Sequence, residues 1–257
     1  MLDFTQLLPL LDHVEYRSGQ QLAAHFNVTR ATIHNCIARI DALGIELERI
    51  PGRGYRLRAP LDLLSEKGIV SNLAREVADS MHTFKCLHQV DSTNSVAFDL
   101  ELPPAGCFSV VLAEKQTAGR GRRGRTWISP YAANIYASVV RGMQRPMHEL
   151  SGLSPYLAIC IVETLHALGL PGLSLKWPND IFCRHKKLAG LLIECSGELI
   201  GSCKVIVGFG VNVTMKSYHN IEIDRQWTDI KSNMSGWDLS RSQLAAKLRY
   251  GFWHLRR

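Results

Sequence analysis

The sequence predicts an α+β protein in two parts: a winged helix-turn-helix domain over residues 1–62 and a mixed-sheet α+β domain over residues 67–257. Three observations predict it. Two short helical patterns joined by a tight turn run into an alternating stretch folded about Pro-Gly-Arg-Gly. Six further β-type runs follow, with one long amphipathic helix among them. The 257 residues also exceed the length of one small domain.

In chain order, "FTQLLPLLDHV" carries apolar residues at helical spacing, with Pro9 out of place. "SGQQLAAHFNV" and "TRATIHNCIARIDALG" give helix, tight turn, helix. Ser18 is the expected cap of the first, with Gln21 completing a capping box, and Thr29 the expected cap of the second. Leu22, Ala23, Phe26, Val28, Ile33, Ile37 and Ile40 are expected to share one core, and Gly44 to stop the last helix. "IELERIPGRGYRLRAP" reads as a hairpin turning at 51–54, and "RAPLDLLSEKG" as the connection onward. Strands are expected at "FKCLHQV", "FSVVLAEKQ", "NIYASVVR", "LSLKWPNDIFC", "KKLAGLLIECS" and "KVIVGFGVNV". "LSPYLAICIVETLHAL" is the long helix, and "SRSQLAAKLRYGFWHLR" a second one interrupted by Gly251.

Apolar residues make up 46% and charged residues 21%, an ordinary globular mix. The most apolar helical pattern is broken by Glu163 and His166, so no membrane partner is expected. The first residues lack a basic start and a small-residue cleavage site, which argues against a secretory leader. Seven cysteines without a CxxC pair read as reduced thiols of a cytoplasmic protein. The net charge of +7 is unevenly spread. Residues 1–62 hold seven basic and seven acidic side chains, whereas 119–125 hold four arginines and 241–257 five bases with no acid. Such clusters point to anionic partners.

The charge is densest in "GRGRRGRTW", residues 119–127. Glycine-rich backbone can turn successive amides toward one anion, and guanidinium groups bind phosphate bidentately. An equally open reading is a basic loop drawn to nucleic acid. The stretch does not fit the GxxxxGK[ST] phosphate loop, because no Lys-Ser or Lys-Thr follows, nor the dinucleotide fingerprint, because a strand rather than a helix follows it. A disordered loop that orders on a ligand is the remaining expectation. In "KWPND", Lys176 can neutralise phosphate and Asp180 can hold a divalent cation, although Pro-Asn-Asp is also ordinary turn chemistry. "KKLAGLLIE" puts lysines at the head of an apolar strand, where they can equally be edge-blunting. "GFGVNV" suggests close backbone passage beside a ligand, or a bulge. In "DSTN", Ser92 and Thr93 can cap a helix or touch a ligand.

DSTN, EKQTAGRGRRGRTW, KWPND, KKLAG and GxGxN, in this order behind a winged helix, together resemble the bifunctional biotin protein ligase and biotin operon repressor family. The resemblance spans nearly the whole chain. It implies a class II synthetase-like (biotin/lipoate ligase) catalytic domain that makes biotinyl-5′-AMP from biotin and ATP with Mg²⁺. The biotin is then passed to a lysine of the biotin carboxyl carrier domain of acetyl-CoA carboxylase. It also implies that adenylate promotes a homodimer on the operator DNA of biotin biosynthesis genes. By motif position, Ser92, Thr93, Asn94, Gln116, Gly119, Arg120 and Arg122 resemble the biotin-contacting set. Lys187 resembles the lysine that meets both the biotin carboxylate and the α-phosphate, and acts with Arg120 and Arg122 in catalysis. Arg123, Trp127, Lys176, Asn179, Asp180 and Asn212 resemble the ATP-binding set, with Trp127 stacking on adenine, Arg125 completing the loop and Asp180 as the metal ligand. Arg30, Thr32, His34 and Asn35 would read DNA, with Arg53 and Arg56 of the wing near phosphates. Read against the family, the chain is expected to lack the small C-terminal β-barrel and to leave Phe252, Trp253 and Leu255 exposed. Two alternatives stay open: a repressor that only senses biotin or its adenylate, and a lipoate-type ligase.

Overall fold

The computed structural model describes residues 2–197, 203–215 and 226–248, and the chain divides into two compact units, Met1–Asp62 and Leu63–Arg257. The expectations for Gly251, Phe252, Trp253 and Leu255 lie outside the described residues.

In the first unit, α1 (Phe4–Leu7) runs into a 3₁₀ turn, Leu8–Leu10, that absorbs Pro9 near its start, where a missing amide costs nothing. Helix α2 (Gly19–Phe26) starts in the expected capping box, with Ser18 and Gln21 bonded reciprocally. Left-handed Asn27 ends it, which makes the tight turn. Helix α3 (Arg30–Ala42) is capped by the Thr29 side chain and followed by Gly44 at positive φ. Leu22, Ala23, Ile33, Ile37 and Ile40 are buried with Leu7 and Leu8, while Phe26 and Val28 are only half-buried. Strands β1 (Leu47–Ile50) and β2 (Gly54–Leu57) form the wing. Arg17 bridges to Tyr55 through paired backbone hydrogen bonds of 2.9 Å, adding a third edge that the sequence pattern does not announce. A Cβ on Gly54 would stand 2.1 Å from the Arg17 carbonyl oxygen, so this approach requires glycine.

The second unit is built on a seven-stranded sheet. Its strands are β3 (Met81–Val90), β4 (Phe108–Gln116), β5 (Asn134–Met143), β6 (Leu173–Lys176), β7 (Asp180–Cys183), β8 (Lys186–Gly197) and β9 (Cys203–Asn212). Their order is β3-β4-β5-β9-β8-β7-β6, parallel between β3 and β4 and antiparallel elsewhere. "LSLKWPNDIFC", expected as one strand, is the β6–β7 hairpin, because the cis Trp177–Pro178 bond and Asn179 reverse the chain. The "RAPLDLLSEKG" connection ends in α4 (Glu66–Val70), capped by Ser65, and α5 (Arg75–Asp79) follows.

Strand periodicity sorts the two faces. Val110 and Leu112 of β4, Ile135, Ala137 and Val139 of β5, and Val205, Val207, Phe209 and Val211 of β9 point into the main core. There α7 (Leu153–Ala167) adds Leu157, Ala158, Ile161 and Leu165, and α9 (Arg241–Leu248) adds Leu244 and Leu248. With the 3₁₀ turn before it, α7 forms a 20-residue apolar stretch that by length and composition alone suffices to cross a bilayer; its apolar stripe is instead part of this core. The alternate residues Val111, Val140 and Ile206 pack under α6 (Thr93–Phe98). Short α6 covers only part of this second face, and the bare remainder floors a cleft. The buried Arg241–Glu114 pair, 2% and 3% exposed, ties α9 to β4. Glu114 also accepts from the Leu64 amide, and Arg241 donates to the Asn134 carbonyl at 2.8 Å. The remaining described helix is α8 (Ile230–Asn233), capped by Asp229.

Candidate functional site

Three glycines open the cleft over the sheet. In the β8–β9 ladder Gly190 faces Gly210 and Leu192 faces Gly208. A Cβ on Gly210 would stand 2.4 Å from the Trp127 ring, and one on Gly208 would stand 2.2 Å from Asn94 Oδ1. The floor is therefore bare backbone, with the Trp127 indole against Gly190 and Gly210 and Asn94 against Gly208. The cleft above has a volume of about 1090 Å³, ample for a nucleotide together with a bicyclic vitamin.

One end is a polar cluster. Thr93 donates through its amide (2.8 Å) and hydroxyl (3.2 Å) to Gln116 Oε1, and Gln116 Nε2 donates to Ser129 Oγ at 3.0 Å. Ser138 Oγ lies 2.7 Å from Thr93 Oγ1 and 2.6 Å from Asn94 Oδ1. Asn94 Nδ2 donates to Glu194 Oε2 at 2.6 Å, and Arg120 Nη2 donates to the same oxygen at 3.0 Å. Ser92 stands at the N-cap position of α6, yet its side chain makes no capping bond, so the plain capping reading of "DSTN" does not hold for it. It is buried and lines the cleft instead.

The middle of the cleft is cationic. Lys187 Nζ is 2.8 Å from Asp180 Oδ1 and 5.3 Å from the Trp127 ring centroid, with the two side chains 22% and 13% exposed. Lys187 is held by backbone on both sides: its amide donates to Gln226 O at 3.0 Å, and its carbonyl accepts from Thr228 N at 2.9 Å. It is therefore an interior strand residue rather than an edge-blunting one. Across the cleft, Arg122 Nη1 donates to Asn179 Oδ1 at 2.9 Å, while Asn179 Nδ2 donates to Leu191 O at 2.9 Å. Trp127 Nε1 is buried without a hydrogen-bond partner among the described residues.

The arginine–glycine loop, expected to be disordered, is a small hairpin. Gly121 N donates to Arg125 O at 2.7 Å, Trp127 N donates to Gly119 O at 2.8 Å, and Arg120 bridges to Thr126. Left-handed Arg123 and Gly124 make the reversal. The glycines thus serve turn and packing as well as freedom, since a Cβ on Gly119 would stand 2.4 Å from the Trp127 carbonyl. Arg120, Arg122, Arg123 and Arg125 all line the cleft.

Of the residues expected at the site, Ser92, Thr93, Asn94, Gln116, Arg120, Arg122, Arg123, Trp127, Lys176, Asn179, Asp180, Lys187 and Asn212 line one cleft, whereas Gly119 lies beneath it as a packing position. Lys176 Nζ sits 5.5 Å from the Phe182 ring centroid, and Asn212 Nδ2 donates to Thr228 O at 3.0 Å. Sequence reasoning missed Glu194, Ser138 and Trp177. The first two are polar residues inside apolar strands, a signal that was available; Trp177 is 77% exposed on the hairpin turn. Among the described residues no group of three His, Cys, Asp or Glu side chains could hold a metal ion. Asp180 is the only carboxylate lining the cleft among the described residues, and it is paired to Lys187. Asp180 is the carboxylate that a Mg²⁺ accompanying a triphosphate would use, since Mg²⁺ commonly takes one or two carboxylates plus phosphate oxygens.

In the first unit, α3 exposes Arg30, His34 and Asn35, and also Arg39, which the sequence reading did not single out; half-buried Thr32 turns its hydroxyl to Thr29 at 3.0 Å. Arg53 and Arg56 lie 4.5 and 4.6 Å from the Tyr16 ring centroid. Arg56, expected near phosphate, is occupied internally: it donates to Glu48 and to the Val14 carbonyl. Those bonds and the Tyr16 hydroxyl hold the Glu48 carboxyl below its ordinary range, and Glu48 in turn raises Tyr16.

The family model described as biotin/lipoate A/B protein ligase matches residues 86–212, and an HTH domain model matches residues 5–56. The chain is 33% identical over 243 residues to the bifunctional ligase/repressor BirA of Escherichia coli (strain K12), covering 95% of this chain and 73% of that protein. The biotin protein ligase of Leishmania major in complex with biotinyl-5-AMP superposes with a TM-score of 0.54 at 28% identity, covering 68% of this chain and 74% of that one. The Aquifex aeolicus biotin protein ligase in complex with biotin and ATP gives 0.51 at 28% identity, covering 65% and 68%.

Proposed function

Because the chain belongs to the bifunctional biotin ligase/repressor family, we propose that its cleft condenses biotin with ATP and passes the biotinyl group to a carrier lysine. In the first step a biotin carboxylate oxygen attacks the α-phosphate, the α–β anhydride bond breaks, and pyrophosphate leaves. In the second, the lysine amine of a biotin carboxyl carrier domain attacks the acyl carbon, and AMP leaves with the bonding electrons.

The observation that carries this reading is that Lys187, beside Asp180 and Trp127, lines one cleft with the Thr93–Gln116–Arg120 cluster. The polar cluster of Thr93, Gln116 and Arg120 lines the cleft together with Trp127, Asn179 and Asp180. Two anions must meet before they react, and fixed cations offset their repulsion without reorganising. Lys187 and Arg122 are assigned that task, with Arg120 at the ring end. Ser92, Thr93 and Gln116 are assigned to the biotin ring, with Asn94 behind them. Trp127 is assigned to adenine, and Arg123, Lys176, Asn179, Asp180 and Asn212 to the remainder of the nucleotide. Mg²⁺ bound to the triphosphate would supply charge neutralisation. The ring end favours biotin over lipoate. Its groups are hydrogen-bonding ones, which suit a ureido ring, and a dithiolane would leave them unpaired at a cost.

We assign operator binding to the first unit, with exposed Arg30, His34 and Asn35 of α3 toward base edges and Arg53 at the backbone. Biotinyl-5′-AMP is the proposed corepressor, acting through a homodimer, and the cytoplasm is the proposed location.

The test is transfer itself. Purified chain with ATP, Mg²⁺, biotin and a carrier domain should give a product that streptavidin detects. Lys187→Ala should lower that rate by roughly 10²–10³, the size of losing one oxyanion-type donor, while circular dichroism stays native. An unlabelled carrier with the wild-type chain would leave a biotin sensor in place of a ligase. A Lys187→Ala variant with normal turnover would remove the assignment of Lys187.

A further inference from the structure

The wing, residues 46–58, carries four arginines, and three of them are matched to carboxylates. Arg58 Nη1 donates to Glu46 Oε2 at 3.1 Å, Arg56 Nε donates to Glu48 Oε2 at 3.2 Å, and Arg49 donates to Asp41 in the last turn of α3. Arg53, at the turn, is exposed and takes part in no ion pair among the described residues. We propose that Asp41, Glu46 and Glu48 determine specificity in the DNA-reading unit: each cancels one arginine toward phosphate, so the wing presents to a DNA backbone only the charge of Arg53. The inference rests on reading the first unit as the operator-binding one.

In "IELERIPGRGYRLR", Glu46 and Glu48 sit on the first arm and Arg56 and Arg58 on the second. The turn folds them opposite one another: Glu48 faces Arg56 in the ladder, and the Arg58 amide donates to the Glu46 carbonyl at 3.0 Å. Strand alternation sets both pairs on the side away from Leu47 and the buried Leu57. Two rungs of opposite charge would also serve to fix the register of the hairpin. Register does not account for Arg49, whose partner comes from another element. The Arg49 and Arg58 pairs are exposed and hold their arginines loosely, but cancellation does not need a rigid bond. A phosphate that nears Arg58 also nears Glu46, and their 3.1 Å separation is short beside a screening length of about 8 Å at physiological salt. The phosphate therefore meets a dipole in place of a cation. Each phosphate neutralised by an unopposed cation adds about 0.9 to the salt slope, or roughly fivefold in affinity near 0.15 M salt. Three unopposed arginines would then tighten binding to any sequence by about a hundredfold, and operator contacts would have to exceed that background.

The test is the salt dependence with which the full chain binds a short duplex of random sequence, followed by fluorescence anisotropy. Glu46 and Arg58 are the pair to change, because both are exposed and neither holds the wing as Glu48 does. Glu46→Gln should steepen the slope of log affinity against log salt by about 0.9 per protomer and tighten binding about fivefold near 0.15 M salt. Adding Arg58→Gln to it should return both quantities to the wild-type values, as should the exchange of the pair, Glu46→Arg with Arg58→Glu. Arg53→Gln should flatten the slope by about 0.9. The thermal midpoint should be the same in all of these variants. Two results overturn the proposal: a Glu46→Gln slope equal to the wild type, or a loss in E46Q/R58Q as large as in Arg53→Gln, which would put Arg58 itself on a phosphate. A wild-type chain that binds no duplex even at low salt would instead remove the operator-binding reading, and this inference with it.

Discussion

Trp127 rests on Gly210 so closely that a Cβ there would stand 2.4 Å from its ring, and Lys187 Nζ lies 5.3 Å from its centroid. The indole therefore owes its position to the absence of one methyl group. Gly210→Ala should push the ring off the sheet while β9, buried by Val207, Phe209 and Val211 on its other face, stays in place. Losing a base-stacking contact of about 1–3 kcal/mol should raise KM for ATP at least roughly fivefold. An unchanged KM, measured with the native tryptophan emission, would take adenine away from Trp127. At this scale the sequence was most legible where a residue type has one physical use. Glycines that approach a ring and lysines held inside a strand left a pattern in "GFGVNV" and "KKLAG". Glu194 and Ser138 left only the mark of a polar residue inside an apolar strand, because their partners come from distant segments.

Among the elements, caps and strand alternation wrote themselves into the sequence plainly. The capping box of Ser18 and Gln21, the Thr29 cap and the limits of β4 need only neighbouring residues. The β6–β7 hairpin did not: Pro-Asn-Asp offered turn chemistry, but that it splits the stretch into two strands shows only in their pairing with each other and with β8. The loop at 119–127 was read as structureless for a similar reason: its hairpin is closed by backbone bonds that composition does not reveal. The wing makes a testable case of a charge turned inward. Arg56 and Tyr16 hold the Glu48 carboxyl below its ordinary 4.5. A carboxyl whose folded value is depressed supports the fold above its ordinary value, and that support fades as pH falls through the folded one. Hydrogen exchange of residues 47–57 should therefore accelerate as pH drops from about 5 toward 3, after correction for intrinsic rates. It should do so less in Glu48→Gln, which has no such proton to gain. Equal acid sensitivity in the two proteins would mean that Glu48 does not anchor the wing.

For the whole molecule, a DNA-reading unit and an adenylate-forming unit share one chain, and each has its own core. If biotinyl-5′-AMP is the corepressor, then adding it to the full chain should tighten operator binding, and the affinity should fall as salt rises. Operator affinity indifferent to adenylate would separate the two activities. The cleft chemistry underlies both, and one measurement reaches it directly: pyrophosphate released by the full chain with ATP and Mg²⁺, in the presence of biotin, of lipoate or of neither. The account predicts release with biotin, little with lipoate, and biotinyl-5′-AMP recovered from the protein. Release that is equal for the two acids, or independent of both, would contradict it.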